Sequence, residues 1–330
     1  MSEDQQQTGE SWNLFTGTGK PDVTATQRAG KVKAWERIPP APSWRVRDKK
    51  TAPVFKTNPE LARAVNAALH LRRPLLITGG PGSGKSTLAD VIANELELGP
   101  VLRWHITSKS TLHDGLYEYD ALGRLHATQE AGANAAPANF VRLGPLGTAL
   151  ATDTIRAVLI DELDKSDLDL PGDLLNVIED GEFTIPVLAR AKSGHDFKVS
   201  GADGDTGQDG RPYMVGKEGI VKRKQFPVIV FTSNRERTFS APFLRRCVRF
   251  EMPPFSAADV TDIVMAHLNK HLGDEERQVI DDFARKLQAD KQLAINQILE
   301  YVYIVTGSPK PDGDTGEMLK KTLLRELNGT

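Results

Sequence analysis

The sequence predicts an α/β protein, in which a parallel β-sheet carries helices on both faces and a small α-helical domain follows. Short apolar segments of strand length alternate with helical patterns as far as residue 253. A glycine-rich turn joins the first of these strands to the next helix, and after Pro253 and Pro254 only helical periodicity continues. Such alternation favours parallel strands, because their crossover helices cover both faces of the sheet.

Residues 1–50 form a polar region that contains Trp12, Trp35 and Trp44 and ends in a proline-rich stretch. Prolines favour an extended backbone, and disordered tails are usually poor in aromatic residues. We therefore expect an extended N-terminal arm whose indole rings dock on this chain or on a neighbouring subunit. A disordered tail is the alternative. The predicted domains are the arm, an α/β domain over 51–253 and a helical domain over 254–330.

Apolar segments predict five strands, at residues 74–78, 101–107, 157–161, 227–232 and 247–252. Helical spacing predicts a helix after Asn58, another after the glycine-rich turn, and helices throughout the C-terminal domain. Two long stretches, 108–150 and 190–225, do not fit simple strand–helix units, and loops of this length are usually functional or disordered. Within the first stretch, residues 122–125 suggest a short hairpin.

Composition excludes several classes of protein. The chain has 42 Lys and Arg against 44 Asp and Glu, so its net charge of −2 gives no general attraction for nucleic acids or acidic membranes. Cys247 is the single cysteine, which excludes an internal disulfide. The longest apolar runs are too short to span a bilayer, and the polar start is unlike a secretory signal. We expect a soluble, cytoplasmic protein without membrane or nucleic-acid partners.

The strongest motif is Gly79-Gly80-Pro81-Gly82-Ser83-Gly84-Lys85-Ser86, which matches the phosphate-binding loop pattern in full. Glycines let the backbone N–H groups point at phosphate oxygens, and the N-terminus of the following helix favours anions. Lys85 would contact the β and γ phosphates, and Ser86 can ligate Mg²⁺. The predicted nucleotide-binding residues are Gly80, Pro81, Gly82, Ser83, Gly84, Lys85, Ser86 and Thr87. A chance glycine turn is the alternative.

A second motif, Val158-Leu159-Ile160-Asp161-Glu162, is an apolar strand that ends in two acids. Asp161 could hold Mg²⁺ directly or through water. Glu162 could polarise a water molecule for attack on the γ-phosphate. A strand that simply ends in an acidic turn is the alternative.

Together with these two motifs, the segments Thr232-Ser233-Asn234 and Phe243-Leu244-Arg245-Arg246 make residues 51–305 resemble AAA+ ATPases, in particular the MoxR-like branch. The resemblance implies a five-stranded P-loop sheet, an α-helical lid, ATP and Mg²⁺ as cofactors, and a homo-oligomeric ring or helix with six subunits expected. It also implies that 108–150 is an insertion and that 190–225 forms a hairpin before the fourth strand.

The resemblance assigns roles to further residues. Asn234 corresponds to the sensor of the γ-phosphate; otherwise it is a turn residue at a strand end. Arg245 and Arg246 match the arginine-finger region that reaches the nucleotide of an adjacent subunit; otherwise they are a surface basic pair. The lid segment 293–298 carries no sensor arginine, and Lys291 is the nearest base. This departure permits slow turnover.

The expected function is that of an ATP-hydrolysing, chaperone-like remodeller of a protein partner, which the MoxR resemblance suggests is a von Willebrand A domain protein. A nucleotide-gated assembly scaffold with slow hydrolysis is one alternative. A DNA-dependent motor is another, for which Lys222-Arg223-Lys224 is the only compact basic triplet. A solvated loop is the simpler interpretation of that triplet.

Overall fold

The computed structural model describes most of the chain from residue 55 onward. The described residues are 12, 38–39, 41–42, 45, 55–131, 135–191, 193–202, 205, 212–268, 273–289, 295–307 and 310–324. Most of the predicted arm, with Trp35 and Trp44, lies outside them, as does Lys291. The predictions for those residues stay predictions.

Helices and strands alternate along the chain as the sequence predicts. The helices are α1 (Pro59–Leu71), α2 (Lys85–Glu95), α3 (Leu112–Leu116), α4 (Ala121–Ala131), α5 (Pro145–Ala151), α6 (Leu170–Asp180), α7 (Pro186–Arg190), α8 (Ala241–Arg246), α9 (Ala257–Leu268), α10 (Asp274–Ala289), α11 (Ile295–Thr306) and α12 (Gly313–Leu323). The strands are β1 (Leu75–Thr78), β2 (Leu102–His105), β3 (Tyr117–Tyr119), β4 (Val141–Leu143), β5 (Ala157–Asp161), β6 (Glu182–Thr184), β7 (Phe197–Val199), β8 (Tyr213–Val215), β9 (Ile220–Lys222), β10 (Val228–Ser233) and β11 (Val248–Glu251).

The predicted five-stranded parallel sheet is confirmed. Its strand order is β11-β1-β10-β5-β2, and every neighbouring pair runs parallel. All five strands therefore end at the same edge, where β1, β10 and β5 lie side by side in the middle of the sheet. This edge receives the glycine-rich turn, Asn234 and the Asp161-Glu162 pair.

Helices cover both faces of the sheet, as the continuous apolar strands require. Along β5, Val158 and Ile160 pack into one hydrophobic cluster, while Leu159 between them packs into another on the opposite face. Both clusters are almost completely buried. Successive residues of a strand point to opposite faces, so a strand buried on both sides cannot alternate apolar and polar residues.

The long stretch 108–150 differs from its prediction. The expected hairpin at residues 122–125 is wrong, because α4 spans them. The Asp120 carboxylate accepts a hydrogen bond from the Gly123 N–H (2.7 Å), and the Arg124 N–H donates to the Asp120 carbonyl (3.1 Å), so a helical turn begins here. The antiparallel pair lies outside the helix and joins β3 to β4.

The second long stretch, 190–225, contributes to two further antiparallel pairs. Within it β7 pairs with β8, while β9 pairs with β6, which lies just before the stretch. Phe197, Val199, Tyr213 and Val215 from the β7–β8 pair are buried in the main core. Much of this stretch is therefore ordered secondary structure that packs on the α/β unit.

The chain divides into two compact units. One spans Phe55–Pro254, and the other combines Phe255–Thr330 with the N-terminal residues before Phe55. In the second unit, α9 to α12 surround a core that includes Val260, Val264, Phe283 and Ile298. Arg45 also belongs to this unit, where its guanidinium donates to Glu300 of α11 (2.5 Å). Within the described residues, no helix combines the length and apolar character needed to cross a membrane.

Candidate nucleotide-binding site

The glycine-rich turn between β1 and α2 uses its glycines for conformation and for space. Gly82 (φ 71°) and Gly84 (φ 81°) adopt left-handed backbone angles, which other residues adopt at a cost. A Cβ atom on Gly84 would lie 3.2 Å from the Phe55 ring, and one on Gly79 would lie 3.0 Å from the Met252 Cβ. Since α2 begins directly at Lys85, the first N–H groups of that helix open onto this turn.

Lys85 is held inside the turn, with only 7% of its surface exposed. Its ammonium donates to the carbonyls of Gly79 (3.0 Å) and Gly80 (2.7 Å). Burial lowers the pKa of Lys85, and the negative charges of Asp161, Asp164 and Glu162 partly oppose that effect. The turn therefore holds a positive charge at the start of α2, whose first N–H groups suit phosphate oxygens.

Ser86 and Asp161 meet across the edge of the sheet. The Ser86 hydroxyl donates to Asp161 Oδ1 (2.7 Å), and the Thr232 hydroxyl donates to the same oxygen (2.6 Å). Thr232 in turn accepts a hydrogen bond from the Glu162 N–H (2.8 Å). A hydroxyl and a carboxylate are hard oxygen ligands of the kind that Mg²⁺ prefers, so these donors fit the predicted magnesium site.

Glu162 has both carboxylate oxygens engaged. Oε1 accepts from the Asn234 side-chain amide (3.2 Å), and Oε2 accepts from Lys165 (2.7 Å). Its backbone is left-handed (φ 58°), a conformation that is uncommon for residues other than glycine and that turns the chain sharply after β5. The structure thus brings the predicted water-activating group and the predicted γ-phosphate sensor into direct contact.

Sequence reasoning missed His105 and gave no role to Thr232. His105 ends β2, pairs in register with Asp161, and places Nε2 3.4 Å from Glu162 Oε2. For Thr232 the sequence indicated only that it belongs to the segment 232–234. The strand order would have identified both residues, because the final residues of adjacent parallel strands lie side by side. A single sequence does not reveal that order.

Arg245 and Arg246 lie apart from this group of residues. Both are exposed on the last turn of α8, where Arg246 Nε lies 2.9 Å from Glu179 Oε1. Among the residues that the structure describes, no hydrogen bond or ion pair joins either side chain to the glycine-rich turn, Asp161 or Glu162. The structure of one chain does not bring them into the site.

The basic triplet 222–224 is engaged in local contacts. Lys222 lies 3.9 Å from Glu182, and Lys224 lies 3.0 Å from Asp153. The Arg223 guanidinium stacks 3.7 Å from the centre of the Phe226 ring. All three side chains therefore have partners on neighbouring elements of the fold.

Comparison with known proteins identifies a family for the α/β part of the chain. The family model described as AAA domain (dynein-related subfamily) matches residues 74–247, more than half of the chain. No curated protein matches the sequence.

Several solved structures are similar at low identity. The RuvB Holliday junction branch migration motor of Thermotoga maritima is 15% identical, with 80% of this chain and 67% of that chain covered and a TM-score of 0.42. NtrX from Brucella abortus in complex with ADP is 13% identical over 85% of this chain and 58% of that chain, with a TM-score of 0.44. Domain III of the Thermotoga maritima replication initiation protein DnaA is 17% identical over 82% and 95%, with a TM-score of 0.40.

Proposed function

The chain belongs to the AAA domain family and is an ATPase, and from this premise we propose that it is an oligomeric, chaperone-like remodeller of a protein partner. One observation carries the ATP-hydrolysing part of the proposal: a buried lysine, a serine–aspartate pair and a glutamate–asparagine pair converge at one edge of the sheet. These are the groups that bind a triphosphate and activate water beside it.

Each group would have a distinct role. The backbone N–H groups of residues 82–87 and the Lys85 ammonium would bind the phosphates. Glu162 would orient and deprotonate the attacking water, since it is the carboxylate next to the Ser86–Asp161 pair. Asn234, now bonded to Glu162, would contact the γ-phosphate and so report its presence to the glutamate.

Ser86 and Asp161 would hold the Mg²⁺ ion that the family implies. When bound, this ion neutralises charge on the phosphate oxygens. The hydroxyl of Thr232 keeps the Asp161 carboxylate oriented toward Ser86, so the two ligands are already adjacent. This arrangement is what a preorganised cation site requires.

We further propose membership of the MoxR-like branch, assembly as a hexameric ring or helix, and a cytoplasmic location. The motifs at 158–162 and 232–234 support the branch. The exposed arginines of α8 support the assembly, because a finger that acts on a neighbouring subunit must lie on the surface of its own. A von Willebrand A domain protein is the proposed client, on the resemblance alone.

A nucleotide-gated scaffold is the second candidate. The observation in its favour is that Asn234 and Lys165 each donate to one oxygen of Glu162, which leaves fewer lone pairs for an attacking water molecule. Slow hydrolysis would leave ATP bound for long periods and would favour assembly over turnover. The local contacts of residues 222–224 give no support to a DNA-dependent motor.

Glu162→Gln tests the proposal. We expect ATP binding to persist while kcat falls about 10²–10⁴-fold, the usual contribution of a general base. A remodeller should then assemble but fail to change its client, whereas a scaffold should assemble and function normally. The matched control is Glu182→Gln, which changes an exposed glutamate on β6 and should leave turnover unaltered. Normal hydrolysis by Glu162→Gln would contradict the assignment of the base.

A further inference from the structure

Two short loops follow the central strands and carry the proposed catalytic pair. The glutamate loop (residues 162–167) follows β5, and the asparagine loop (residues 234–237) follows β10. One side chain from each loop crosses to the backbone of the other. Asp164 crosses from the glutamate loop, and Arg237 crosses from the asparagine loop. Neither side chain has so far been assigned a part in binding ATP or in activating water.

Asp164 fixes the backbone of the asparagine loop. Its Oδ2 accepts hydrogen bonds from the N–H groups of Asn234 (2.9 Å) and Glu236 (2.9 Å). The residue is only 5% exposed, and its other oxygen is buried without a hydrogen-bond partner. A buried carboxylate is costly unless hydrogen bonds stabilise its charge, so these two N–H groups are the main direct compensation for it.

Arg237 makes the reciprocal contact, because it extends from the asparagine loop and fixes the backbone of the glutamate loop. Nη1 donates to the Ser166 carbonyl (2.7 Å), and Nη2 donates to the Asp167 carbonyl (2.8 Å) and to the Ser166 hydroxyl (3.2 Å). The planar guanidinium holds its donors in a fixed geometry, so contact with three acceptors defines the position of this loop end.

Glu162 and Asn234, the proposed catalytic pair, lie on the two loops that Asp164 and Arg237 connect. Asn234 Nδ2 donates to Glu162 Oε1 over 3.2 Å, close to the upper limit of a hydrogen bond, so a small displacement of either loop would break the contact. Glu162 itself has a left-handed backbone (φ 58°) and is the first residue of the glutamate loop. Asp164 also acts on the binding turn: burial lowers the pKa of Lys85, and the charges of Asp161 and then Asp164 oppose this.

We propose that Asp164 and Arg237 are positioning residues for ATP hydrolysis, which act through Asn234 and Glu162 by holding the two loops in register. The inference rests on the proposed function, since it assumes that Glu162 activates water and that Asn234 senses the γ-phosphate. Neither Asp164 nor Arg237 touches the nucleotide in this assignment.

The first test compares Asp164→Asn, Arg237→Met and Arg237→Lys with the wild-type chain. We expect kcat to fall about 10²-fold in Asp164→Asn and Arg237→Met, the usual effect of a misplacement of about 1 Å, while KM and the Kd for ATP change less than about threefold. Arg237→Lys should recover part of the loss, because an ammonium can still donate to a carbonyl. Asp153→Asn is the matched control: it removes the same charge from an exposed residue paired with Lys224.

The second test is a double-mutant cycle. If Asp164 acts through Asn234, then Asp164→Asn should lower kcat by less than about threefold when Asn234→Ala is already present, because coupled residues are not additive. Full multiplication of the two losses would overturn the inference, as would an unchanged kcat in Asp164→Asn with a lowered Tm.

The outcomes separate this inference from the proposed function. A folded wild-type chain without ATP turnover would contradict the proposed function. Wild-type turnover together with normal kcat in both Arg237 variants would overturn the positioning role alone. The Arg237 variants carry the test by themselves if Asp164→Asn does not fold, because they leave the buried carboxylate and its two hydrogen bonds in place.

Discussion

The edge of the central sheet and the end of α8 differ in whether one chain brings their functional residues into contact with one another. At the sheet edge, hydrogen bonds link Ser86 to Asp161 and Glu162 to Asn234, although the partners are about 70 residues apart in sequence. At the end of α8, the exposed Arg245 and Arg246 make no described contact with that group. The sheet edge is therefore assembled by folding, whereas we propose that the arginines act at the site of a neighbouring chain.

The difference shows which functional residues can be recognised from the fold of a single chain. Parallel strands bring their final residues to one edge, so groups that follow β1, β5 and β10 must meet there. An arginine that acts across subunits obeys no such constraint and looks like an ordinary surface residue in a single chain. Its role has to be tested with mixed subunits.

The largest expected effect is the loss of nucleotide binding in Lys85→Ala. The substitution removes a buried charge, which costs up to about 5 kcal/mol, so the Kd for ATP should rise as much as about 5,000-fold. Isothermal titration calorimetry on the folded variant measures it, with the exposed Lys217→Ala as control. An unchanged Kd for ATP would contradict the assignment of the sheet edge as the nucleotide-binding site, and the contrast with α8 would then no longer hold.

The next effect concerns the α8 arginines. We expect Arg245→Ala/Arg246→Ala to bind ATP normally but to lose about 10³-fold in kcat, the lower end of what an arginine finger contributes. Mixing this variant with Glu162→Gln subunits should restore some turnover, since a mixed interface combines an intact glutamate with intact arginines. Steady-state rates across mixing ratios measure this recovery. No recovery at any ratio would contradict action on a neighbouring subunit.

The smallest effect distinguishes the two arginines. Arg246 is paired with Glu179, and both side chains are nearly half exposed, so Glu179→Ala should cost at most about 1 kcal/mol in the free energy of unfolding. We expect turnover to be unchanged in Glu179→Ala and more reduced in Arg245→Ala than in Arg246→Ala, because Arg246 already has a partner. Urea denaturation and rate measurements test both points. A larger loss in Arg246→Ala would make Arg246 the finger.

The structure also shows which sequence predictions depend on local information. The helix after Asn58 follows from its cap, whose side chain accepts from the Leu61 N–H (2.7 Å). The glycine-rich turn follows from backbone angles that only glycine adopts freely. The hairpin expected at 122–125 is wrong because the Asp120 carboxylate caps a helix here, and this local signal outweighs the turn preference of Gly123.

The amino-acid sequence by itself determined the sheet and its helices, the binding turn and the acids that end β5, because periodicity, capping and glycine content act over a few residues. Only the tertiary structure decided the strand order, which places His105 beside Asp161. It alone also decided the crossing of Asp164 and Arg237 between loops some 70 residues apart. Such contacts depend on which strands become neighbours, and that depends on packing of the whole sheet, which no short segment of sequence encodes.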